Sequence, residues 1–151
     1  MSIMKIVELN VDFCNKYKED ISNYIYMSMN RGCNEEWFTK DASDLKTEEL
    51  KKYVSERKAY SFIAVENNIE GFLWAYPYGN CQDVYLSIIY VDDRNRGKHV
   101  GKSLIDALED KVKRDGYHKI WLHTDADNDI SRKFYNQLGY KEKRVQLSKE
   151  L

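Results

Sequence analysis

Val84-Tyr-Leu-Ser-Ile-Ile-Tyr-Val-Asp-Asp-Arg-Asn-Arg-Gly-Lys-His-Val-Gly-Lys-Ser-Leu-Ile-Asp-Ala-Leu108 changes its hydrophobic period halfway along. Val84 to Val91 is a continuous β-branched and aromatic run, which reads as a strand. From Val100 the apolar residues return every fourth position, at Leu104, Leu108 and Val112 with Ile105 beside them. That is one stripe of an amphipathic helix, and Gly116 is its C-cap candidate. Between them lies a polar turn, Asp92 to His99, carrying a glycine and several cations. Strand, turn and helix are followed by a second β-prone run, Ile120 to Thr124. The four pieces form a βαβ unit, which implies two parallel strands with a right-handed crossover.

A glycine-bearing turn that opens a helix is a place where backbone N–H groups and the helix dipole meet an anion, typically a phosphate. Arg94, Arg96, Lys98 and Lys102 add side-chain cations. Three phosphate-binding patterns compete for this stretch. Gly97-x-x-x-Gly101-Lys102-Ser103 is one residue short of a P-loop, and Arg96 stands where that motif needs glycine. The dinucleotide fingerprint Gly-x-Gly-x-x-Gly is absent. The third pattern, Arg/Gln-x-x-Gly-x-Gly/Ala, is met by Arg96-Gly97-Lys98-His99-Val100-Gly101, with His99 in place of the first glycine.

Outside this unit, residues 3–8 read as a strand and residues 12–30 as a helix with Asp12 as its cap. Residues 31–43 read as a loop, and a second helix starts at Thr47. Ser61–Glu66 and Ile69–Tyr76, joined at Asn67-Asn68, read as a β-hairpin. After Ile120–Thr124 come a polar turn at Asp125–Asp129, a short helix Ser131–Leu138 stopped by Gly139, and a last strand Tyr140–Leu147. The order is β-α-α-β-β-β-α-β-α-β, a mixed α/β fold. With 151 residues and neither linker nor repeat, a single domain over 1–151 is expected.

Composition excludes several classes. The net charge is −1, unlike a dedicated nucleic-acid binder. No apolar stretch approaches the ~18 residues of a membrane span, so no membrane partner is expected. Glu8 stands where a signal peptide needs apolar residues, which makes a cytoplasmic protein the expectation. Cys14, Cys33 and Cys81 are odd in number and widely spaced, so free thiols are expected rather than a disulfide framework or metal site.

Val91-x-x-x-x-Arg96-Gly97-Lys98-x-Val100-Gly101-x-x-Leu104 resembles the acyl-CoA-binding motif of the GNAT superfamily of N-acetyltransferases. Asn128-x-x-Ser131-x-x-Phe134-Tyr135-x-x-x-Gly139-Tyr140 resembles the second signature of that family, in the expected order. The resemblance implies a mixed, mostly antiparallel sheet flanked by helices, with a central CoA-binding βαβ unit and splayed strands. It implies acetyl-CoA as cosubstrate, no metal, and transfer of acetyl to a primary amine of a small molecule or peptide by direct attack. It places Arg96, Gly97, Lys98, His99, Val100, Gly101 and Lys102 at the pyrophosphate. It places the backbone of Ile89, Tyr90 and Val91, together with Asn128 and Ser131, along the pantetheine arm. Tyr135 becomes the proton donor to the leaving thiolate. Asn128 reads equally as a helix cap, and position 99 needs a negative φ if its N–H is to face a phosphate.

The acceptor side is open. Its general base is Asp83, His123, Glu35, Glu36 or water, and its wall draws on Trp37, Phe38, Trp74, Tyr76 and Tyr78. The alternatives are a non-catalytic acyl-CoA-binding module, another acyl group, or a sugar or alcohol acceptor. A homodimer is one option among relatives, and the oligomeric state is open.

Overall fold

The computed structural model describes residues 3–79, 82–93 and 99–151. Expectations for Arg94, Arg96, Gly97, Lys98 and the Cys81 thiol fall outside these residues. The elements run β1 (Lys5–Glu8), α1 (Val11–Lys16), α2 (Lys18–Met29), α3 (Lys40–Ser55), β2 (Tyr60–Val65), β3 (Ile69–Pro77), β4 (Asp83–Val91), α4 (Val100–Arg114), β5 (Lys119–Trp121) and α5 (Asp129–Gln137).

The strands lie in sequence order in one five-stranded sheet. β1 to β4 pair antiparallel, and β4 pairs parallel with β5. Helices cover both faces, which is why β2 is buried at five consecutive residues instead of alternating. One core lies between the sheet and α4–α5, built on Leu73, Val84, Leu86, Leu104, Ile105 and Leu108. The other lies under α1–α3, built on Ile21, Ile25, Leu50, Ile63, Phe72 and Ile88. No helix among the described residues is long and apolar enough to cross a membrane.

β4 does not keep one alternation. Trp74 is in register with Ile88 and Ala75 with Leu86, so Ser87 is an extra residue. Val84 and Leu86 therefore face α4, whereas Ile88 and Tyr90 face the α1–α3 side. A bulge of this kind re-aims side chains along one strand.

Four sequence expectations are corrected. The helix expected over 12–30 is two helices that break at Tyr17, and its cap is Asn10, whose Oδ1 accepts from Phe13 N at 2.8 Å. The second helix begins at Lys40, not Thr47. Thr39 Oγ1 caps it by accepting from Ala42 N at 3.1 Å. β5 stops at Trp121. The last expected strand, Tyr140–Leu147, does not form, and residues 141–151 are exposed throughout. Val145 and Leu147, the apolar residues of 141–147, are 81% and 90% exposed, and local β-propensity without a pairing partner does not hold a strand.

Candidate active site

β4 and β5 share three registered pairs, Asp83 with Lys119, Val84 with Ile120, and Tyr85 with Trp121. β4 continues six residues further, to Val91, while β5 ends. Alternate peptide groups between Leu86 and Val91 thus face a gap without a ladder partner from β5. An unpaired strand edge is a template for an extended, amide-bearing ligand. The backbone of Ile89, Tyr90 and Val91 lies on it. Their side chains are committed elsewhere: Ile89 and Val91 pack toward α4, and Tyr90 is buried against α2.

α4 and α5 close one side of the gap. His99 is the N-cap residue of α4, with φ 60° and ψ 22°, and its side chain makes no capping hydrogen bond. The condition of a negative φ at this position is therefore not met. A histidine occupies the left-handed conformation that glycine adopts at little cost. Val100 is 1% exposed in the core, which leaves only its backbone for a ligand. A Cβ on Gly101 would meet Phe134 Cζ at 3.3 Å and Val91 Cγ2 at 3.8 Å, so this glycine lets α4 approach α5 and β4 closely. Lys102 is paired with Asp106 at 2.8 Å along the exposed surface of α4.

Asn128 caps α5 through Oδ1, which accepts from Ser131 N at 3.1 Å. Its Nδ2 has no partner among the described residues. Ser131 Oγ accepts from Thr124 Oγ1 at 3.0 Å. Tyr135 is 8% exposed, and its ring meets Phe134 and Tyr140 edge-on at 5.0 and 5.6 Å. Its hydroxyl has no hydrogen-bond partner among the described residues. Burial pushes its pKa up to about 12, and the positive charge of Arg31 acts in the opposite sense.

Arg31 went unnoticed in the sequence. It follows α2, and its guanidinium lies 5.4 Å from the centroid of the Tyr90 ring, which itself stacks on Tyr24 at 5.2 Å. Asn30 fixes the local backbone by accepting from Trp37 N and Phe38 N while donating to Tyr26 O and Phe38 O. No sequence signal pointed to Arg31, because its neighbourhood depends on a loop closing over β4.

The five residues of the expected acceptor wall lie in different parts of the fold. Trp74 is 3% exposed and belongs to the core. Phe38 packs against the same core, and Trp37 is exposed with Nε1 donating to Met29 O at 2.6 Å. Tyr76 and Tyr78 instead join Tyr85, Trp121 and His123 in a chain of ring contacts. Tyr85 and Trp121 were legible as strand residues, but only the parallel register brings them together.

Against this geometry, the comparisons with known proteins place the chain. The Acetyltransferase (GNAT) family model matches residues 24–140, and the chain belongs to this family. Among curated relatives, it is 34% identical over 88 residues to the "Uncharacterized N-acetyltransferase YycN" of Bacillus subtilis (strain 168), covering 57% of this chain and 56% of that protein. It is 34% identical over 65 residues to glucosamine 6-phosphate N-acetyltransferase of Arabidopsis thaliana, covering 43% and 42%. The chain thus spans about half the length of these curated relatives. Among solved structures, an aminoglycoside N-acetyltransferase in complex with CoA superposes with a TM-score of 0.78 at 25% identity, covering 99% of this chain and 96% of that one.

Proposed function

We propose that this protein is a single-domain, acetyl-CoA-dependent N-acetyltransferase acting on a primary amine of a small molecule or peptide. The observation that carries the reading is the unpaired edge of β4, whose Ile89 and Val91 pack against the same core as Tyr135, a residue whose hydroxyl lacks a partner among the described residues. The edge suits the amides of a pantetheine arm, and the hydroxyl suits the sulfur at its end. Asn128 Nδ2 is a further donor for the same arm. The cationic turn from Arg96 to Lys98 and the backbone of His99 to Gly101 would hold the pyrophosphate.

Acetyl-CoA supplies an activated acyl carbonyl. The amine nitrogen bonds to its carbon, and the C–S bond breaks. At pH 7 Tyr135 is fully protonated, so it donates to the sulfur as negative charge develops there. The buried phenol, at about 12, is a weaker acid than a thiol in water at ~8.5, so complete transfer to a solvated thiolate would be uphill. Burial raises the proton affinity of the thiolate in the same way and narrows that difference. Orientation along β4 supplies much of the remaining rate enhancement.

The names of the relatives support amine acceptors, including an aminoglycoside and glucosamine 6-phosphate, and a cytoplasmic setting agrees with acetyl-CoA supply. The test is CoA calorimetry with a thiol-release assay over spermidine, neamine, glucosamine 6-phosphate and a peptide with an N-terminal alanine. Release with at least one amine, together with about tenfold weaker CoA binding in Arg96→Ala, supports the reading. CoA binding with no release from any amine favours a non-catalytic binding module.

A further inference from the structure

We infer that His123, held by Tyr85, is the group that takes the proton from the acceptor amine. This rests on the acetyltransferase reading and assigns the acceptor side of the same site. Tyr85 and Trp121 are the last registered pair before β4 and β5 part. His123 follows Trp121 by two residues, just past the end of β5. Its ring lies 5.4 Å from the Trp121 ring at 90° and 5.8 Å from the Tyr85 ring at 64°. Tyr85 Oη and His123 Nδ1 are 3.3 Å apart.

These contacts fix the imidazole at the vertex of the gap. They also place it on the side of Tyr76, which packs toward α1–α3. Tyr135 belongs to the opposite core, under α4 and α5. His123 and Tyr135 thus serve different partners of the addition–elimination, the amine nitrogen that adds to the acyl carbon and the sulfur that is expelled from the tetrahedral adduct.

The tautomer follows from the role. Nδ1–H donates to the Tyr85 oxygen, which leaves the Nε2 lone pair free toward the acceptor. Burial holds the Tyr85 phenol above its usual pKa, so it stays a neutral acceptor. The N–C bond forms, the amine proton passes to Nε2, the C–S bond breaks, and the thiolate is met by Tyr135.

The competing carboxylates are otherwise engaged or unsupported. Asp83 pairs with Lys119 at 3.7 Å at the closed end of the two strands. Glu36 accepts from Tyr26 Oη. Glu35 makes no contact among the described residues that would hold it in place. Among the described residues, the titratable groups in the ring cluster around the imidazole are the phenols of Tyr85 on β4, Tyr76 on β3 and Tyr78 just beyond β3, with the Asp83–Lys119 pair on the strands and Glu49 of α3, which acts on Tyr76.

The experiment follows thiol release with whichever amine of the four-member panel is used by the wild type. His123→Gln is expected to lower kcat/KM for the amine by about 10²-fold at pH 7, with CoA affinity within threefold. The wild-type rate should fall on the acid side between pH 5 and 8, and in the variant that limb should be replaced by one that follows only the protonation of the amine itself. The defect should narrow as pH approaches the amine's own pKa, and added imidazole should restore activity to His123→Ala. Tyr85→Phe should move the acid limb to lower pH, which a purely structural loss would not do. Wild-type kcat/KM in His123→Gln at pH 7 overturns the assignment while leaving the acetyltransferase reading intact. No release from the wild type with any amine overturns both.

Discussion

The ring of Phe134 lies 3.3 Å from the point where a Cβ on Gly101 would stand. These residues belong to the two separate motifs in the sequence, one opening α4 and the other running through α5. Their contact joins the start of α4 to the helix that carries Tyr135. A glycine expected to serve a ligand also serves the packing of two helices.

Gly101→Ala is therefore expected to push Phe134 by a few tenths of an ångström. Overpacking of this size costs about 1 kcal/mol, a fall in Tm of about 2–4 °C. Because Phe134 adjoins Tyr135, kcat should drop more than the CoA Kd rises. Thermal denaturation and steady-state kinetics on the same sample check this. An unchanged Tm with unchanged kcat would show that the ring yields freely.

His99 provides a second prediction, with opposite signs for two substitutions. At φ 60° glycine relieves strain, offset by its greater freedom in the unfolded chain. His99→Gly should raise stability by about 0.5 kcal/mol and bind CoA within threefold of wild type. His99→Val, β-branched in the left-handed region, should lose more than about 1 kcal/mol. Urea midpoints of the pair decide it, and equal midpoints would contradict the observed backbone.

Tyr135→Phe keeps the ring and removes one oxygen that has no partner among the described residues. Stability should hold, since the ring packing is kept and no hydrogen bond to a described residue is lost. At saturating acetyl-CoA, kcat should fall by about 10²-fold. Equal rates in wild type and variant would take the hydroxyl out of the reaction.

Alkaline pH should destabilise the fold in a defined window. Burial pushes Cys14 up from 9.0 to about 11 and Tyr135 up from 10.0 to about 12. Both folded values lie above the unfolded ones, so the neutral groups contribute fully below pH 9. The Cys14 contribution is lost as pH rises from 9 through 11, and the Tyr135 contribution from 10 through 12. Cys14→Ala should flatten the decline between pH 9 and 11, read from denaturation midpoints at each pH. An identical slope would mean that the thiol titrates alike in the folded and unfolded chain.

The sequence by itself determined the βαβ unit, the hairpin of β2 and β3, and the identity of the two motifs. Each rests on local periodicity or on residues close along the chain, where turn chemistry and helical spacing act directly. Asn128 as a helix cap was legible for the same reason. Tertiary structure decided what depends on partners far away in the chain. The Tyr140–Leu147 run has strand-like residues but no strand beside it. Ser87 became a bulge because β3 offered one residue fewer, and this turned Ile88 and Tyr90 away from the α4 side. Arg31 reached Tyr90 through a loop closed by Asn30, and Tyr85 met His123 through a parallel register of three pairs. Register and loop closure are set by the summed packing of the whole sheet, and no local stretch of sequence carries that sum.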